Sequence, residues 1–361
     1  MSRLKIKLAV SDFHLGKGPV LPSGNRNYLE DFFSDQKFAE FLDYYSAEQY
    51  EKSEIELVIC GDFFNQLQVD PLEINPQIIT ERVALARTGA IMNGHPAIFE
   101  ALIRFAKKPN HSIVFIIGNH DIGLLWSSVR SLVKNTIEGS TKVHETPQYI
   151  KDGVCFEHGN QHVAENWIDF EHPFLKGSGE MILNLPWGDL FVIRFLNQIK
   201  SERPYADKVF PFKLYFRWAL IHDTKFAIRV AFHSLVYFLK ILFRLDKNER
   251  FNIRQLHRIM KEFSFPMKMD RAARSVLHDH PNCKIVVFGH GHKPAAVQFY
   301  DNKEYYNCGI WNEMINLEVG TIGRFLRLTF VEINYNKAGI PHGTLKEWKG
   351  HYREVEEMVL V

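Results

Sequence analysis

The chain has 361 residues and a formal net charge of +2, with 44 lysine and arginine residues against 42 aspartate and glutamate residues. A hydrophobic content of 46% excludes an intrinsically disordered chain, and the length allows a large core with an added subdomain. The four cysteines show no C-x-x-C spacing, which argues against a thiolate metal site and predicts buried, reduced thiols. The N-terminus runs directly into a strand-like segment, so we expect a cytoplasmic protein without a signal peptide.

The predicted elements alternate between strands and helices along the first half of the chain. Strands are expected at 5–10, 55–60 and 113–117, and helical segments at about 28–51, 77–107 and 122–134. The second helical segment contains Asn93-Gly94-His95-Pro96, which predicts an interruption. Further strands are expected within 142–156 and then at 284–288, 295–299, 305–308, 324–333 and 343–348. This order predicts an α/β fold with enough strands for a second sheet.

Five short islands of metal-binding side chains occur along the chain, most of them directly after strand-like runs. They are Asp12-Phe13-His14, Gly61-Asp62, Gly118-Asn119-His120-Asp121, His158-Gly159-Asn160 and Gly289-His290-Gly291-His292. Because the strands of an open α/β sheet deliver ligands at one edge, we expect these side chains to meet there. Carboxylate oxygens and imidazole nitrogens suit manganese, iron, zinc or nickel.

The spacing within the islands predicts how they share the ions. Side chains two apart on an extended segment point the same way, so Asp12 and His14 are expected to hold one ion together. The same reasoning applies to His290 and His292. Asp62 is a single carboxylate that could bridge two ions, and two ions would clamp the attacking and leaving oxygens of a phosphoryl transfer.

These islands resemble the signature of the calcineurin-like metallophosphoesterase family, which is D-x-H, G-D, G-N-H-[D/E], H and G-H-x-H. The resemblance covers residues 5–160 and 283–330. It implies the family's four-layer β-sandwich flanked by helices. The core is expected at 1–164 and 276–361, with a helical insertion, or cap, at 165–275.

The resemblance also implies the roles of the island residues. The first metal would take Asp12, His14, Asp62 and His292, and the second would take Asp62, Asn119, His158 and His290. Manganese is the expected ion, with iron, zinc and nickel as alternatives. His120 would bond the substrate phosphate and protonate the leaving oxygen, and Asp121 would orient it.

Two positions depart from the family pattern. Gly291 stands where threonine is common, and Asn160 stands where aspartate is common. Neither departure removes a ligand, so their expected effect is on the contacts around the ligands and on metal preference. Outside the islands, Asn65, Arg87 and Arg203 are candidates for contacting the substrate.

The expected insertion differs in charge from the rest of the chain. Residues 200–275 contain 17 lysine and arginine residues against 7 aspartate and glutamate residues, and they are dense in aromatic side chains. Within them, 225–247 forms a very apolar helix with a narrow basic stripe. Buried charges make it a poor membrane span, whereas it fits an interfacial or acyl-chain-binding helix. A helix packed within a subdomain is an equal alternative, and nucleic acid is the least favoured partner.

A second resemblance concerns the substrate. The start Ser11-Asp12-Phe13-His14-Leu15-Gly16 and the helical insertion are similar to the UDP-2,3-diacylglucosamine diphosphatases of lipid A biosynthesis. This resemblance implies cleavage of a lipid-linked nucleotide sugar at an anionic membrane surface, by a protein bound peripherally to the inner face of the cytoplasmic membrane. Two alternatives remain open: a soluble phosphomonoesterase or phosphodiesterase acting on nucleotides, and a non-catalytic scaffold with the same fold.

Overall fold

Two β-sheets stack face to face in the computed structural model, which describes residues 4–21, 23–70, 78–177, 179–242, 258, 268–318, 322–350 and 356–357. From edge to edge, the first sheet contains β17 (Glu356–Glu357), β16 (Pro341–Glu347), β15 (Thr329–Tyr335), β1 (Lys5–Val10), β2 (Glu54–Cys60), β3 (His111–Ile116) and β4 (Thr141–Val143). The second contains β11 (Ala295–Gln298), β12 (Glu304–Asn307), β10 (Ile285–Phe288), β6 (Val154–Glu157) and β5 (Gln148–Lys151).

Helices cover the outer face of each sheet. The first sheet packs against α1 (Asp35–Tyr45), α2 (Glu81–Gly94), α3 (Pro96–Ala106) and α4 (Ser127–Ile137) through one large apolar cluster. A second cluster fills the space between the sheets, and a third joins the second sheet to α9 (Met269–Asp279). Burial of these apolar faces drives the assembly. The predicted four-layer α/β sandwich is therefore confirmed.

Parallel pairing explains why the polar islands converge. Strands β1, β2 and β3 are mutually parallel, and so are β6, β10 and β12. The carboxyl ends of five of these strands lead directly into Asp12, Asp62, Asn119, His158 and His290. The two sheets thus present their ligand-bearing loops at one end of the sandwich.

Some element boundaries differ from the sequence expectation. The break near Asn93–Pro96 is confirmed, because α2 ends at Gly94 and α3 begins at Pro96. The helix expected at 28–51 is only α1, since the Glu30 carboxylate accepts backbone hydrogen bonds from Gly16 and Gly18 and holds the preceding segment as a loop. The strand expected at 324–333 is two strands, β14 (Gly323–Phe325) and β15.

The insertion is mixed rather than wholly helical. It contains a hairpin of β7 (Phe174–Lys176) and β8 (Met181–Leu183), and β9 (Val209–Phe210), which pairs with β13 (Met314–Asn316) of the core. Its described helices include α5 (Trp187–Phe191), α6 (Asn197–Glu202), α7 (Phe212–His222) and α8 (Thr224–Leu242), and a π-helical segment, Val192–Leu196, joins α5 to α6. Strands of two or three residues are too short to show the alternation of apolar and polar side chains from which strands are predicted. Helix α9 spans the expected boundary at 275/276, and part of the helix predicted at 225–247 lies outside the described residues.

None of the helices in the described part of the chain combines the length and apolarity that a membrane crossing requires.

A buried ion cluster fastens the insertion to the loop after β1. The Lys200 ammonium lies 2.6 Å from Asp31 Oδ2 and 2.7 Å from Asp207 Oδ2, and the Lys208 ammonium lies 3.0 Å from Asp31 Oδ1. Asp31 belongs to the core, whereas the other three residues belong to the insertion. Breaking a buried pair leaves an unpaired charge and costs about 3–5 kcal/mol. These contacts therefore hold the insertion over the ligand-bearing edge.

His95 gives the fold a pH-dependent stability. Burial alone would lower its pKa, but hydrogen bonds with the carboxylates of Asp35 (2.8 Å) and Glu30 (3.3 Å) raise the pKa to about 9. A raised pKa means that protonation stabilises the folded state. This stabilisation is complete below about pH 6.5 and is lost as the pH rises through about 9.

We therefore expect His95→Gln to lower the free energy of unfolding by up to about 3 kcal/mol at pH 6, and by much less at pH 9.5. Urea unfolding of both proteins across this pH range measures the difference. A destabilisation that stays constant between pH 6 and pH 9.5 would mean that the charged form of His95 is not what the carboxylates stabilise.

Candidate metal centre

The loops that carry the predicted ligands have an unusual backbone. Five of the ligands have positive φ: 57° at Asp12, 49° at His14, 49° at Asp62, 61° at His290 and 53° at His292. We expected Asp12 and His14, and likewise His290 and His292, to lie on extended segments. Their positive φ values show a left-handed backbone at these four residues instead. Non-glycine residues in the left-handed region cost of order 1–3 kcal/mol and cluster at functional sites.

The first group of ligands joins three islands. Asp12 Oδ1 lies 3.6 Å from His14 Nε2 and 3.2 Å from His292 Nε2, and the two imidazole nitrogens are 3.3 Å apart. The other carboxylate oxygen of Asp12 accepts hydrogen bonds from the Ser11 hydroxyl and the His290 backbone N–H. These bonds fix the carboxylate with Oδ1 turned towards the histidines.

The second group shares Asp62 with the first. Asp62 Oδ2 lies 3.2 Å from His158 Nε2 and 3.8 Å from His14 Nε2, so it stands between the two groups. His290 Nδ1 is 3.2 Å from His158 Nε2. His158 Nδ1 donates to the Cys60 carbonyl at 2.9 Å, which leaves Nε2 as the nitrogen with a lone pair. This is the arrangement expected if Asp62 bridges two ions.

Asn119 lies beside the second group and is held by a residue of the insertion. Its Nδ2 donates to Asp189 Oδ1 at 3.3 Å. Within the described part of the chain, Asn119 Oδ1 and Asp189 Oδ2 are both buried without a hydrogen-bond partner. Unpaired buried oxygens are costly unless a cation or a donor is provided.

Two glycines allow the close approach of the ligand loops. A Cβ atom at Gly118 would lie 2.2 Å from Asp62 Oδ1, and one at Gly289 would lie 1.9 Å from Ser11 Oγ. Any side chain at these positions would push Asp62 or Ser11 away from the centre. Glycine is therefore required by packing at both positions, in agreement with the turns that the motifs predict.

His120 also reaches this centre, but its partner is not the expected one. The Asn65 side-chain oxygen lies 2.9 Å from His120 Nδ1. Asp121, which was expected to orient His120, instead accepts from the backbone N–H groups of Phe64 (2.7 Å) and Gly118 (3.2 Å). The Asp121 carboxylate thus braces the loops after β2 and β3, because strand ends leave backbone amides that need acceptors.

The charge state of His120 follows from its surroundings. Burial is the main reason that its pKa falls to about 3; the neighbouring histidines add to this, and Asp62 opposes it. In the metal-free protein His120 is neutral at pH 7. With Nδ1 facing Asn65, its Nε2 is the atom left to exchange a proton across the adjacent cavity.

The centre fits two divalent cations. Carboxylate oxygens and imidazole nitrogens form three groups whose ligand atoms lie within 4.8 Å of one another: Asp12, His14 and His292; His14, Asp62 and His120; and Asp62, His158 and His290. Paired imidazole nitrogens at 3.2–3.3 Å and buried oxygens without donors are contacts that a cation would relieve. The structure brings Asp12, His14, Asp62, His158, His290 and His292 together, and Asn119 directly precedes His120, whose backbone N–H donates to Asp62. The division of these residues between two ions stays a prediction.

The other predicted substrate residues are not at the centre. The cavity beside it measures about 150 Å³, and its lining includes His14, His120, His292 and Lys208 but neither Arg87 nor Arg203. Arg87 is fully buried on α2, and burial lowers its pKa to about 10. Arg203 is exposed and pairs with Asp223 at 2.6 Å. Of the three candidates, Asn65 contacts a residue of the centre, and it does so through His120.

The structure also places around the centre residues that the sequence did not mark, among them Asp189, Asp31 and Lys208. Asp189 contacts Asn119, and Asp31 and Lys208 line the adjacent cavity. Asp189 and Lys208 lie in the insertion, where no motif marks them. Asp31 follows Asn27 and Glu30 in a loop next to the first island, and this proximity was the only available signal.

A comparison with protein families agrees with this geometry. The family model for calcineurin-like phosphoesterases matches residues 8–294. No curated protein matches the chain. Among solved structures, the chain is similar to a dimetal phosphatase from Danio rerio, with 9% identity, 99% of each chain covered and a TM-score of 0.39.

Two further solved structures are similar at the same low level. Vacuolar protein sorting 29 from Cryptosporidium parvum has 11% identity, with 99% of this chain and 97% of that chain covered and a TM-score of 0.34. A predicted phosphoesterase from Streptococcus pneumoniae has 10% identity, with 99% of each chain covered and a TM-score of 0.28. The family model alone spans well over half of the chain. The protein therefore belongs to the calcineurin-like phosphoesterase family and is a metal-dependent phosphoesterase.

Proposed function

We propose that this phosphoesterase cleaves a phosphoester or pyrophosphate bond of a lipid-linked nucleotide sugar at an anionic membrane surface. The observation that carries the proposal is a broad apolar face on the insertion that remains exposed beside a basic stripe. The cavity next to the metal centre lies partly beneath the same insertion, since Val192, Leu196 and Lys208 line it.

The chemistry at the centre follows from the chain's own residues. Two divalent ions, when bound, would acidify a water molecule and neutralise charge on the phosphoryl oxygens. The expected ions are manganese, with iron, zinc and nickel as alternatives. His120 lines the cavity, and Asn65 accepts a hydrogen bond from its Nδ1, so Nε2 of the neutral ring carries the lone pair. Nε2 would first take up a proton, such as the one that the attacking water releases, and could then pass it to the leaving oxygen.

Two apolar stripes run along the outer face of the insertion. On α8 the exposed residues Ile228, Phe232, Leu235 and Leu239 recur at helical spacing, and on α7 Leu214, Trp218 and Ile221 do the same. Ile221, Ile228 and Phe232 are each at least 60% exposed. The opposite face of α8 is buried through Phe226, Ala227 and Val230. Packing among the described residues of the insertion therefore does not account for the stripes, and large exposed apolar patches mark interaction surfaces.

Basic side chains flank these stripes. Lys213 and Arg217 on α7 and Lys225 and Arg229 on α8 are exposed. Arg229 also pairs with Glu202, and Arg203 pairs with Asp223. A helix with exposed apolar residues beside basic ones is typical of binding at the interface of an anionic bilayer. The predicted contributors Phe238 and Lys240 have no described side-chain placement, and Phe243, Arg244 and Lys247 lie outside the described residues.

We expect the protein to bind vesicles that contain phosphatidylglycerol at low salt, and the triple variant Ile228→Ser, Phe232→Ser, Leu235→Ser to bind at least ten-fold more weakly. Replacing Lys225 and Arg229 by glutamine should weaken binding and reduce its salt dependence, because each basic residue contributes about 1 kcal/mol near such a surface. Vesicle sedimentation measures both effects. Tyr300→Ser removes an exposed aromatic ring outside the insertion and is the matched control.

Rates of hydrolysis of soluble and lipid-linked substrates, measured with the same variants, distinguish the two proposed substrate classes. The serine and glutamine variants should hydrolyse a water-soluble aryl phosphodiester as the wild type does, and a lipid-linked pyrophosphate more slowly. Wild-type protein that ignores anionic vesicles at low salt would overturn the membrane proposal and favour the soluble nucleotide phosphatase. A dimer that dissociates in the serine variant would instead identify the stripes as a contact between two copies of the chain.

A further inference from the structure

A second cavity opens beside the metal centre and is not used by the chemistry described above. It measures about 400 Å³, within the range of small-molecule sites. It shares Asp31 and Lys208 with the smaller cavity that contains His14, His120 and His292. A ligand whose phosphate lies at the histidines could therefore continue past Lys208 into this second cavity, which we call the side groove.

The side groove combines exposed aromatic rings with cations. Tyr28, Phe33 and Tyr205 line it and are 59%, 55% and 39% exposed. Each ring has a cation near its centroid: Arg26 at 5.9 Å from Tyr28, Lys208 at 5.8 Å from Phe33 and Arg324 at 5.2 Å from Tyr205. Such a surface can stack on a planar ring and attract negative charge.

The acidic residues of the side groove are largely engaged inside the protein. Glu30 accepts from backbone N–H groups and from His95, and Asp31 pairs with Lys200 and Lys208. Glu313 lies 3.9 Å from Arg324 at the rim. No carboxylate among the described residues lies within ion-pair distance of Arg26. Arg26 is therefore the groove cation that has no ion-pair partner among the described residues, and it is exposed to meet a negatively charged ligand.

We propose that the side groove binds the nucleoside 5′-phosphate part of the substrate, with the ring against Tyr28 and Tyr205 and the phosphate nearest Lys208. This inference rests on the proposed function and names the residues that would recognise the nucleotide part of the substrate. Lys208 is fixed by Asp31 at the junction of the two cavities, which suits it to the phosphate that links them.

Calorimetry with metal-loaded protein tests the side groove through two hydrolysis-resistant probes. Adenosine or uridine 5′-(α,β-methylene)diphosphate contains the ring, whereas methylenediphosphonate lacks it. We expect the nucleoside probe to bind at least ten-fold tighter, since stacking on a base contributes about 1–3 kcal/mol. The double variant Tyr28→Ala, Tyr205→Ala should lose that advantage and bind methylenediphosphonate unchanged, while Tyr300→Ala should bind both probes as the wild type does.

Equal affinity for the two probes, or an equal loss for both in the double variant, would overturn the side-groove proposal while leaving phosphate binding at the centre intact. Failure of both probes to bind would overturn the proposed function as well. A ring preference that survives in the double variant would place the ring elsewhere and also contradict the assignment.

A separate observation concerns how the insertion holds the second metal position. Asp189 of α5 accepts from Asn119, and the Asn166 side-chain amide lies 3.2 Å from His290 Nε2. Gly188 packs directly on Asn166, because a Cβ atom there would lie 2.0 Å from Asn166 Oδ1. Asn166 and Asp189 of the insertion thus contact His290 and Asn119, two predicted ligands of the second ion.

We infer that Asp189 is a positioning residue for the second ion. By accepting from Nδ2 of Asn119, it selects the amide orientation that leaves Oδ1, the unpartnered oxygen, for the cation. Asp189 is fully buried, and its second oxygen also has no hydrogen-bond partner among the described residues. Residues that orient metal ligands typically change metal affinity by 10–100-fold when they are replaced.

Manganese titration of Asp189→Leu, which removes the acceptor, tests this role without measuring turnover. The expected result is a 10–100-fold loss of affinity for the second ion alone, seen by calorimetry and as loss of the exchange-coupled dimanganese signal in electron paramagnetic resonance. Asp189→Asn keeps an oxygen that can accept from Asn119 and should restore most of that affinity, while Asp223→Leu, at an insertion carboxylate paired with Arg203, is the control and should bind both ions normally. Two normal sites in Asp189→Leu, or an equal loss at both sites, would overturn the inference.

Discussion

Replacement of His120 by alanine is expected to lower turnover by about 10²–10⁴-fold while both metal sites stay filled. His120 lines the cavity, and its Nδ1 is held by Asn65, so its Nε2 is placed for proton transfer. Its backbone N–H donates to Asp62 Oδ1 at 2.8 Å, and alanine keeps that bond. Steady-state kinetics with an aryl phosphodiester, together with elemental analysis of the same sample, measures the two quantities.

Asn65→Ala provides the graded comparison. It should keep the metals and lose less activity than His120→Ala, because the imidazole remains but its orientation is no longer fixed. If His120→Ala lost a metal ion and kept its turnover per bound metal, His120 would be a ligand. The distances permit that role, since His120 lies within reach of His14 and Asp62.

Replacement of Asp62 by alanine is expected to remove both ions together. Its Oδ2 stands between the two groups, 3.8 Å from His14 Nε2 and 3.2 Å from His158 Nε2. Removing a shared carboxylate takes a ligand and a negative charge from each site at once. The metal content after metal loading, measured by elemental analysis, should fall from about two ions per chain to fewer than one. Phosphodiester hydrolysis should become undetectable.

Asn119→Ala is the matched variant for Asp62→Ala, because Asn119 belongs to the second set alone. It should retain about one ion per chain. Asp62→Ala protein that still held one ion at full occupancy would show that Asp62 serves a single site, and the bridging role would then be wrong. Circular dichroism of each variant distinguishes metal loss from unfolding.

The ligands could be named from sequence because each one follows a strand, and strand ends are visible as apolar runs that stop at polar residues. The order of the strands in the sheets then determines which ends meet, and parallel pairing of β1, β2 and β3 brings Asp12, Asp62 and Asn119 to one edge. The backbone at these ends could not be predicted. The left-handed residues Asp12 and His14 donate backbone hydrogen bonds to the carbonyls of Gly61 and Asp62 in the loop after β2, and no local pattern records such contacts.

The residues around the ligands were harder to predict because their partners are distant in sequence. Asp121 accepts hydrogen bonds from the backbone N–H groups of Phe64 and Gly118. Every residue except proline has such a group, so the residue types in the sequence do not show which N–H groups Asp121 will bind. Asp189 lies 70 positions from Asn119, and only folding of the insertion brings them together. Arg203 has the positive charge expected of a phosphate-binding residue, but its guanidinium forms an ion pair with the Asp223 carboxylate.

Anomalous diffraction from crystals grown with manganese tests the two-metal centre most directly. The expected result is two peaks about 3.5–4 Å apart, one among Asp12, His14 and His292 and the other among Asn119, His158 and His290, with Asp62 contacting both. A single peak, or two peaks that do not share Asp62, would contradict the account.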